Sequence, residues 1–112
     1  MAAGSQSVGE ITPEALKRRL DAGEGVFILD VRNPPEYQIC RIAGSTLIPL
    51  PALPQRLDEL DRSRELVVHC KSGMRSQQAI GILRQAGFTN LKNLTGGILA
   101  WADKIDPAMP KY

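Results

Sequence analysis

The sequence predicts a single α/β domain with a central parallel sheet of about five short strands and helices on both faces of that sheet. Short apolar runs typical of buried strands alternate with segments of helical periodicity along the chain. Such alternation favours parallel strands that are covered by helices. The chain has 112 residues, which is the usual size of one compact domain.

The first elements follow from capping residues and an apolar run. Residues 1–10 are rich in glycine and serine, which predicts a flexible leader or the remnant of a linker, with the domain over 11–112. Thr12 and Pro13 predict a helix start, because a hydroxyl caps the helix and proline is tolerated at the first helical position. The apolar run Val26–Val31 then predicts a strand that is covered on both faces.

The next part of the chain predicts a short helix, a short strand and a third helix. Asn33–Ile39 opens with a capping residue and two prolines, which suit a helix start. Gly44–Pro49 is a short strand that proline ends. Leucines recur at helical spacing in Pro51–Leu60, and they indicate the third helix.

The segment that follows has the clearest pattern. Leu66–Cys70 predicts a buried strand, Lys71–Met74 a tight loop, and Arg75–Ala86 a helix with one apolar side. The remaining elements are a strand over Asn90–Leu94, a turn at Gly96 and Gly97, a helix over Ile98–Ile105 and the tail Pro107–Tyr112.

Composition argues against several classes of function. The formal net charge is only +2, so we expect no nucleic-acid partner. No apolar stretch is long enough to span a membrane, and Met1–Gly9 does not resemble a secretory signal, so we expect a cytoplasmic protein. One histidine and two cysteines do not support a metal site, and in that compartment Cys40 and Cys70 are expected to be free thiols.

Cys70 is the candidate nucleophile. It and the Asp30–Arg32 turn follow predicted strands, and ligands of parallel sheets gather at the carboxyl ends of the strands. Amide groups of a short glycine-containing loop, the start of a helix, and the charges of Lys71 and Arg75 would all favour a thiolate there. The alternative is that Cys70 is only a small apolar residue that fills the core.

Four segments of the chain form a recognisable set: Asp30-Val31-Arg32, Arg41–Ser45, His69–Ser76, and Gly96-Gly97 followed by Trp101. With these segments the chain resembles a rhodanese domain, over about Thr12 to Pro110. A narrower likeness, in Tyr37–Ser45 and Trp101–Pro107, is to the C-terminal rhodanese domain of molybdopterin-synthase adenylyltransferase/sulfurtransferase proteins.

The resemblance implies a sulfurtransferase. Cys70 would take a sulfane sulfur from thiosulfate or a persulfide, hold it as a covalent persulfide without any other cofactor, and pass it to a thiophilic acceptor. In the two-domain relatives the acceptor is a ubiquitin-like sulfur-carrier protein, which becomes a thiocarboxylate. The chain would then be either an excised domain of such a protein or a free-standing enzyme, and we expect a monomer. The implied substrate-binding residues are Lys71, Ser72, Gly73, Met74, Arg75 and Ser76, with Asp30 and Arg32 supporting the edge of the site.

Other interpretations stay open at this point. The fold could serve as a non-catalytic protein-binding module, although such modules are expected to lack the cysteine. Cysteine phosphatases and arsenate reductases place one more residue between cysteine and arginine than the four that separate Cys70 from Arg75, so they fit less well.

The roles of three residues also stay open. Arg75 either binds substrate or forms a structural ion pair. His69 is expected to point away from Cys70, because neighbouring strand residues face opposite sides. Cys40 either resolves the persulfide or is unreactive.

Overall fold

Five parallel strands form the centre of the structure, a computed structural model in which residues 7–112 are described. The strands are β1 (Ser7–Ile11), β2 (Phe27–Asp30), β3 (Thr46–Leu47), β4 (Leu66–His69) and β5 (Asn90–Leu94). The α-helices are α1 (Pro13–Asp21), α2 (Pro34–Ile39), α3 (Met74–Gln85) and α4 (Gly97–Lys104). The strand order in the sheet is β1-β5-β4-β2-β3, and each neighbouring pair is parallel.

The alternation of side chains along β4 divides the core into two layers. Leu66 and Val68 pack on one face with residues of α3, whereas Val67 packs on the other face with residues of α1 and α4. Both layers exclude water, and β4 has neighbours on both sides, so its carboxyl end has a fixed position. The predicted parallel α/β domain with helices on both faces is therefore confirmed.

The edge strand β1 is a feature that the sequence did not reveal. Its residues pair with β5 in register, from Ser7 opposite Asn90 to Ile11 opposite Leu94. The prediction of a flexible leader over residues 1–10 is therefore wrong for residues 7–10, because pairing with a neighbouring strand orders a segment of low local propensity. Residues 1–6 of that predicted leader lie outside the described part of the chain.

The predicted third helix is also different. Residues 50–59 form two 3₁₀ segments, Leu50–Gln55 and Leu57–Glu59, in place of one α-helix. Pro51 and Pro54 lack the amide hydrogens that an α-helix requires, which explains the tighter and shorter turns. Leu53 is nevertheless fully buried, so the leucine spacing correctly identified the side that faces the core.

Boundaries of the remaining elements move by a few residues. The second predicted strand is reduced to Thr46–Leu47, and the last helix begins at Gly97. Met74 is the first residue of α3 and not part of the preceding loop. Within residues 7–112, no helix has the length and apolar character needed to cross a membrane.

Candidate active site

Cys70 follows directly after β4 at the carboxyl edge of the sheet. Gly73 then turns the chain into α3 with a φ of 136°, a conformation that residues with a side chain rarely adopt. This turn folds residues 70–76 back over the cysteine; we call this segment, which includes the first residues of α3, the active loop. Cys70 is only 2% exposed, so a reagent must reach it past this loop, in which Ser72 and Met74 are exposed.

The active loop directs hydrogen-bond donors at the cysteine sulfur. The amide of Gly73 donates to Cys70 Sγ at 3.1 Å. Ser76 Oγ lies 3.5 Å from the same sulfur and donates to the Gly73 carbonyl at 3.0 Å. Ser76 is fully buried, so its hydroxyl is held beside the sulfur.

These donors favour the thiolate. Burial raises the pKa of the Cys70 thiol, but hydrogen bonds from the Ser76 hydroxyl and from the amides of Ser76, Gly73 and Ser72 lower it by more. The net effect is a pKa below the ordinary value for cysteine. A thiolate is the nucleophilic form, so the geometry supports a reactive residue over a passive apolar one.

Asp30 and Arg32 form a buried ion pair beside this loop. Arg32 donates to both carboxylate oxygens of Asp30 at 2.7–3.0 Å, and its Nη2 donates to the Cys40 carbonyl at 2.7 Å. Both side chains are fully buried. Burial lowers the pKa of Arg32, but the hydrogen bonds and charges of Asp30 and Tyr112 together raise it by more, so the guanidinium stays charged. The Arg32 side chain therefore exposes no surface to solvent.

Arg75 is held by a carboxylate from another helix. Its Nη1 and Nη2 donate to the two oxygens of Glu36 at 2.6 and 2.9 Å. The Arg75 hydrogen bonds lower the pKa of Glu36 to about 2, even though burial opposes this shift. Of the two roles that the sequence left open for Arg75, the geometry therefore favours the structural ion pair.

Sequence reasoning missed two residues of the site, Glu36 and Tyr112. Glu36 accepts from the amide of Asn33 at 2.9 Å, so in the sequence it has the position of a helix-capping residue. The Tyr112 hydroxyl donates to Glu36 at 2.8 Å and accepts from Arg32 at 3.0 Å, while Lys71 Nζ lies 4.4 Å from the centre of the Tyr112 ring. No local pattern marks Tyr112, because its contacts are distant in sequence.

The start of α4 is hydrogen-bonded to the backbone of the active loop. The amides of Ile98 and Leu99 donate to the carbonyls of Cys70 and Lys71 at 3.0 and 3.2 Å. A Cβ on Gly97 would lie only 2.4 Å from the Lys71 carbonyl oxygen. The pair of glycines that the sequence predicted to form a turn therefore allows α4 to touch the backbone that carries the nucleophile.

His69 lies on the other face of the sheet, as its strand position predicts. Its Nδ1 lies 3.1 Å from the Cys70 carbonyl, so this nitrogen carries the proton. Burial lowers the pKa of His69, which keeps the ring neutral. The ring of His69 is fully buried and contacts the backbone of Cys70. Both cysteines are free, and Cys40 Sγ lies 3.8 Å from Arg32 Nη1.

The sequence and the structure are both similar to those of known rhodanese-like proteins. The model of the rhodanese-like domain family matches residues 12–104. A sulfurtransferase from Allochromatium vinosum is 40% identical over 95 residues, which cover 85% of this chain and 89% of that protein. A rhodanese-like domain protein from Staphylococcus aureus has a crystal structure that superposes with a TM-score of 0.79 at 29% identity, covering 88% of this chain and 94% of the other.

A further relative is much longer than the chain. The probable adenylyltransferase/sulfurtransferase MoeZ of Mycobacterium tuberculosis is 39% identical over 104 residues. The match covers 91% of this chain but only 26% of MoeZ. The predicted likeness to adenylyltransferase/sulfurtransferase proteins is thus confirmed, and it concerns one domain of such a protein.

Proposed function

Because the chain belongs to the rhodanese-like domain family, we propose that it is a sulfurtransferase in which Cys70 carries the sulfur as a persulfide. The observation that supports this proposal most strongly is the set of groups around Cys70 Sγ: the Gly73 amide, which donates to it at 3.1 Å, and the Ser76 hydroxyl, which lies 3.5 Å away. A persulfide anion needs the same stabilisation as a thiolate. In the persulfide the charge lies on the outer sulfur, one bond beyond Sγ, and we propose that the amides of the active loop stabilise it there.

With thiosulfate as donor, the Cys70 thiolate attacks the outer sulfur. A bond forms between the two sulfurs, the bond to the sulfonate sulfur breaks, and its electron pair leaves with sulfite. The product is the Cys70 persulfide anion, and no oxidant or reductant is consumed. A thiophilic acceptor such as cyanide then takes the outer sulfur as thiocyanate and regenerates the thiolate.

We assign each residue of the active loop near Cys70 a function in this reaction. When Cys70 is deprotonated, the Ser76 hydroxyl turns from the Gly73 carbonyl to donate to the sulfur, since the two acceptors lie 3.0 and 3.5 Å away. Lys71, the next residue in the chain, pairs with the leaving sulfite. Ser72 and Gly73 contribute amides, and Arg75 holds the start of α3 through Glu36.

A small sulfur-carrier protein is the acceptor that we propose for the protein in its cellular context. The likeness to MoeZ supports this partner, and so does a relative described as the putative sulfur carrier protein YrkF of Bacillus subtilis, 35% identical over 102 residues. Met74 is 77% exposed and lies on the loop that covers Cys70, where it offers an apolar contact to a docked protein.

The experiment measures thiocyanate formed from cyanide with either thiosulfate or glutathione persulfide as donor. The wild type and Cys40→Ala should turn over with at least one donor, and Cys70→Ser should be inactive. Intact mass after donor treatment should increase by one sulfur, and dithiothreitol should remove it. A folded wild type that neither gains sulfur nor makes thiocyanate would instead favour the non-catalytic binding module.

A further inference from the structure

Tyr112 packs on the active loop and is fixed there from three directions. Its hydroxyl accepts from Arg32 Nη1 at 3.0 Å and donates to Glu36 Oε2 at 2.8 Å. Its ring makes a cation–π contact with the ammonium group of Lys71, whose Nζ lies 4.4 Å from the ring centre. Tyr112 thus connects the turn after β2, α2 and the active loop, although it lies far from all three in the sequence.

The other cations near Cys70 are already neutralised by carboxylates. Arg32 is paired with Asp30, and Arg75 is paired with Glu36 in a bidentate contact. Among the described ion pairs none includes Lys71, which contacts the aromatic ring instead. Lys71 is therefore the cationic residue of the active loop whose charge is available to bind an anionic ligand.

An aromatic ring and a carboxylate restrain an ammonium group in different ways. A carboxylate would hold Lys71 in place but cancel its charge, whereas the face of a ring attracts the cation and leaves the net charge unchanged. Burial raises the pKa of the Tyr112 phenol, so the ring remains neutral at ordinary pH. The two hydrogen bonds of the hydroxyl fix the ring, and the ring fixes the lysine.

We propose that Tyr112 is a positioning residue that holds Lys71 beside Cys70 to bind the anionic part of the sulfur donor. This inference rests on the proposed sulfurtransferase function for its choice of ligand. For thiosulfate, the anionic part is the group of sulfonate oxygens that departs as sulfite. The position of Lys71 then affects capture of the donor and leaves the intrinsic reactivity of the thiolate unchanged.

The test compares alkylation of Cys70 by iodoacetate and by iodoacetamide in a Cys40→Ala background. The two reagents react by the same step and differ in charge, so their rate ratio reports the local positive charge and is independent of the thiolate fraction. Tyr112→Leu and Lys71→Gln should each lower the ratio by about three-fold or more. The double variant should lie no lower than Lys71→Gln alone.

Two further variants separate positioning from a general loss of structure. Tyr112→Phe keeps the ring but loses the two hydrogen bonds that fix it, and should give a ratio between those of wild type and Tyr112→Leu. Arg64→Gln removes a cation that lies 5.2 Å from the ring of Phe27, at the opposite end of the sheet, and should leave the ratio unchanged. The value of kcat/KM for thiosulfate should fall in parallel with the ratio.

The results distinguish this inference from the proposed function. An unchanged ratio in Tyr112→Leu, or a double variant in which the two losses multiply, would overturn the positioning role. A changed ratio with non-additive losses supports that role even if thiosulfate turnover is absent, in which case the proposed sulfur transfer fails and the charge assignment stands.

Discussion

Gly97→Ala is expected to damage the active loop without touching a catalytic side chain. The new Cβ would lie 2.4 Å from the Lys71 oxygen, 2.6 Å from the Lys71 carbonyl carbon and 2.8 Å from the Cys70 oxygen. Ordinary van der Waals contacts begin at 3.4 Å, so α4 or the active loop must move by about 1 Å to accept the new Cβ. All three neighbours are backbone atoms, and no rotation of a side chain relieves the contact.

The cost has two parts. Gly97 has a φ of +63°, and an alanine in that conformation costs about 1–2 kcal/mol. A displacement of about 1 Å also breaks the hydrogen bonds from Ile98 and Leu99 to the loop carbonyls, now 3.0 and 3.2 Å long, at about 1 kcal/mol each. We therefore expect the free energy of unfolding to fall by about 3–4 kcal/mol.

Denaturation in urea measures this loss, and the matched control is Gly44→Ala. Gly44 has a φ of +83° but no atom within 4 Å of the added Cβ, so it should lose only the conformational part. Because a shift of about 1 Å misplaces the nucleophile, Gly97→Ala should also slow Cys70 alkylation about ten-fold or more relative to Gly44→Ala. Equal stability and equal reactivity of the two variants would refute the reasoning.

Three further changes test the contacts around the nucleophile. Ser76→Ala removes a donor to the sulfur and should raise the pKa of Cys70, so that alkylation at pH 7 slows by about three- to ten-fold; an unchanged rate would exclude Ser76 from thiolate stabilisation. The pKa of Glu36 is lowered to about 2 from an ordinary 4.5, so its pairing with Arg75 stabilises the fold fully above about pH 4.5 and is lost as the pH falls toward 2. Glu36→Gln should therefore cost about 1–2 kcal/mol at pH 7 and flatten the acid limb of the unfolding curve, and a limb as steep as in wild type would contradict this. Asp30→Ala leaves a buried guanidinium unpaired and should cost about 3–5 kcal/mol in thermal unfolding, and a loss below about 1 kcal/mol would show that the pair is not structural.

Much of the fold could be predicted because apolar periodicity reports burial directly. The run Leu66–Cys70 and the amphipathic pattern after it identified the central strand and α3. β1 escaped prediction because its order comes from pairing with β5, a contact distant in sequence. The 3₁₀ segments depend on the positions of two prolines, which the leucine spacing alone does not describe.

The part of the candidate site that lies in one continuous segment of the chain could be predicted from the sequence. Cys70, Gly73 and Ser76 occur within seven residues, and their contacts follow from a strand, a tight turn and a helix start. Glu36 and Tyr112 reach the same place from other parts of the chain. Only the folded arrangement shows that Glu36 holds Arg75, or that the glycine pair before α4 supports the loop.

The pKa of Cys70, measured from the rate of iodoacetamide alkylation against pH in a Cys40→Ala background, tests the central claim most directly. The amides and the hydroxyl around the sulfur predict a midpoint below the ordinary pKa of an unperturbed cysteine thiol. A midpoint at or above that value would mean that burial outweighs the hydrogen bonds. The active loop would then not stabilise an anionic sulfur.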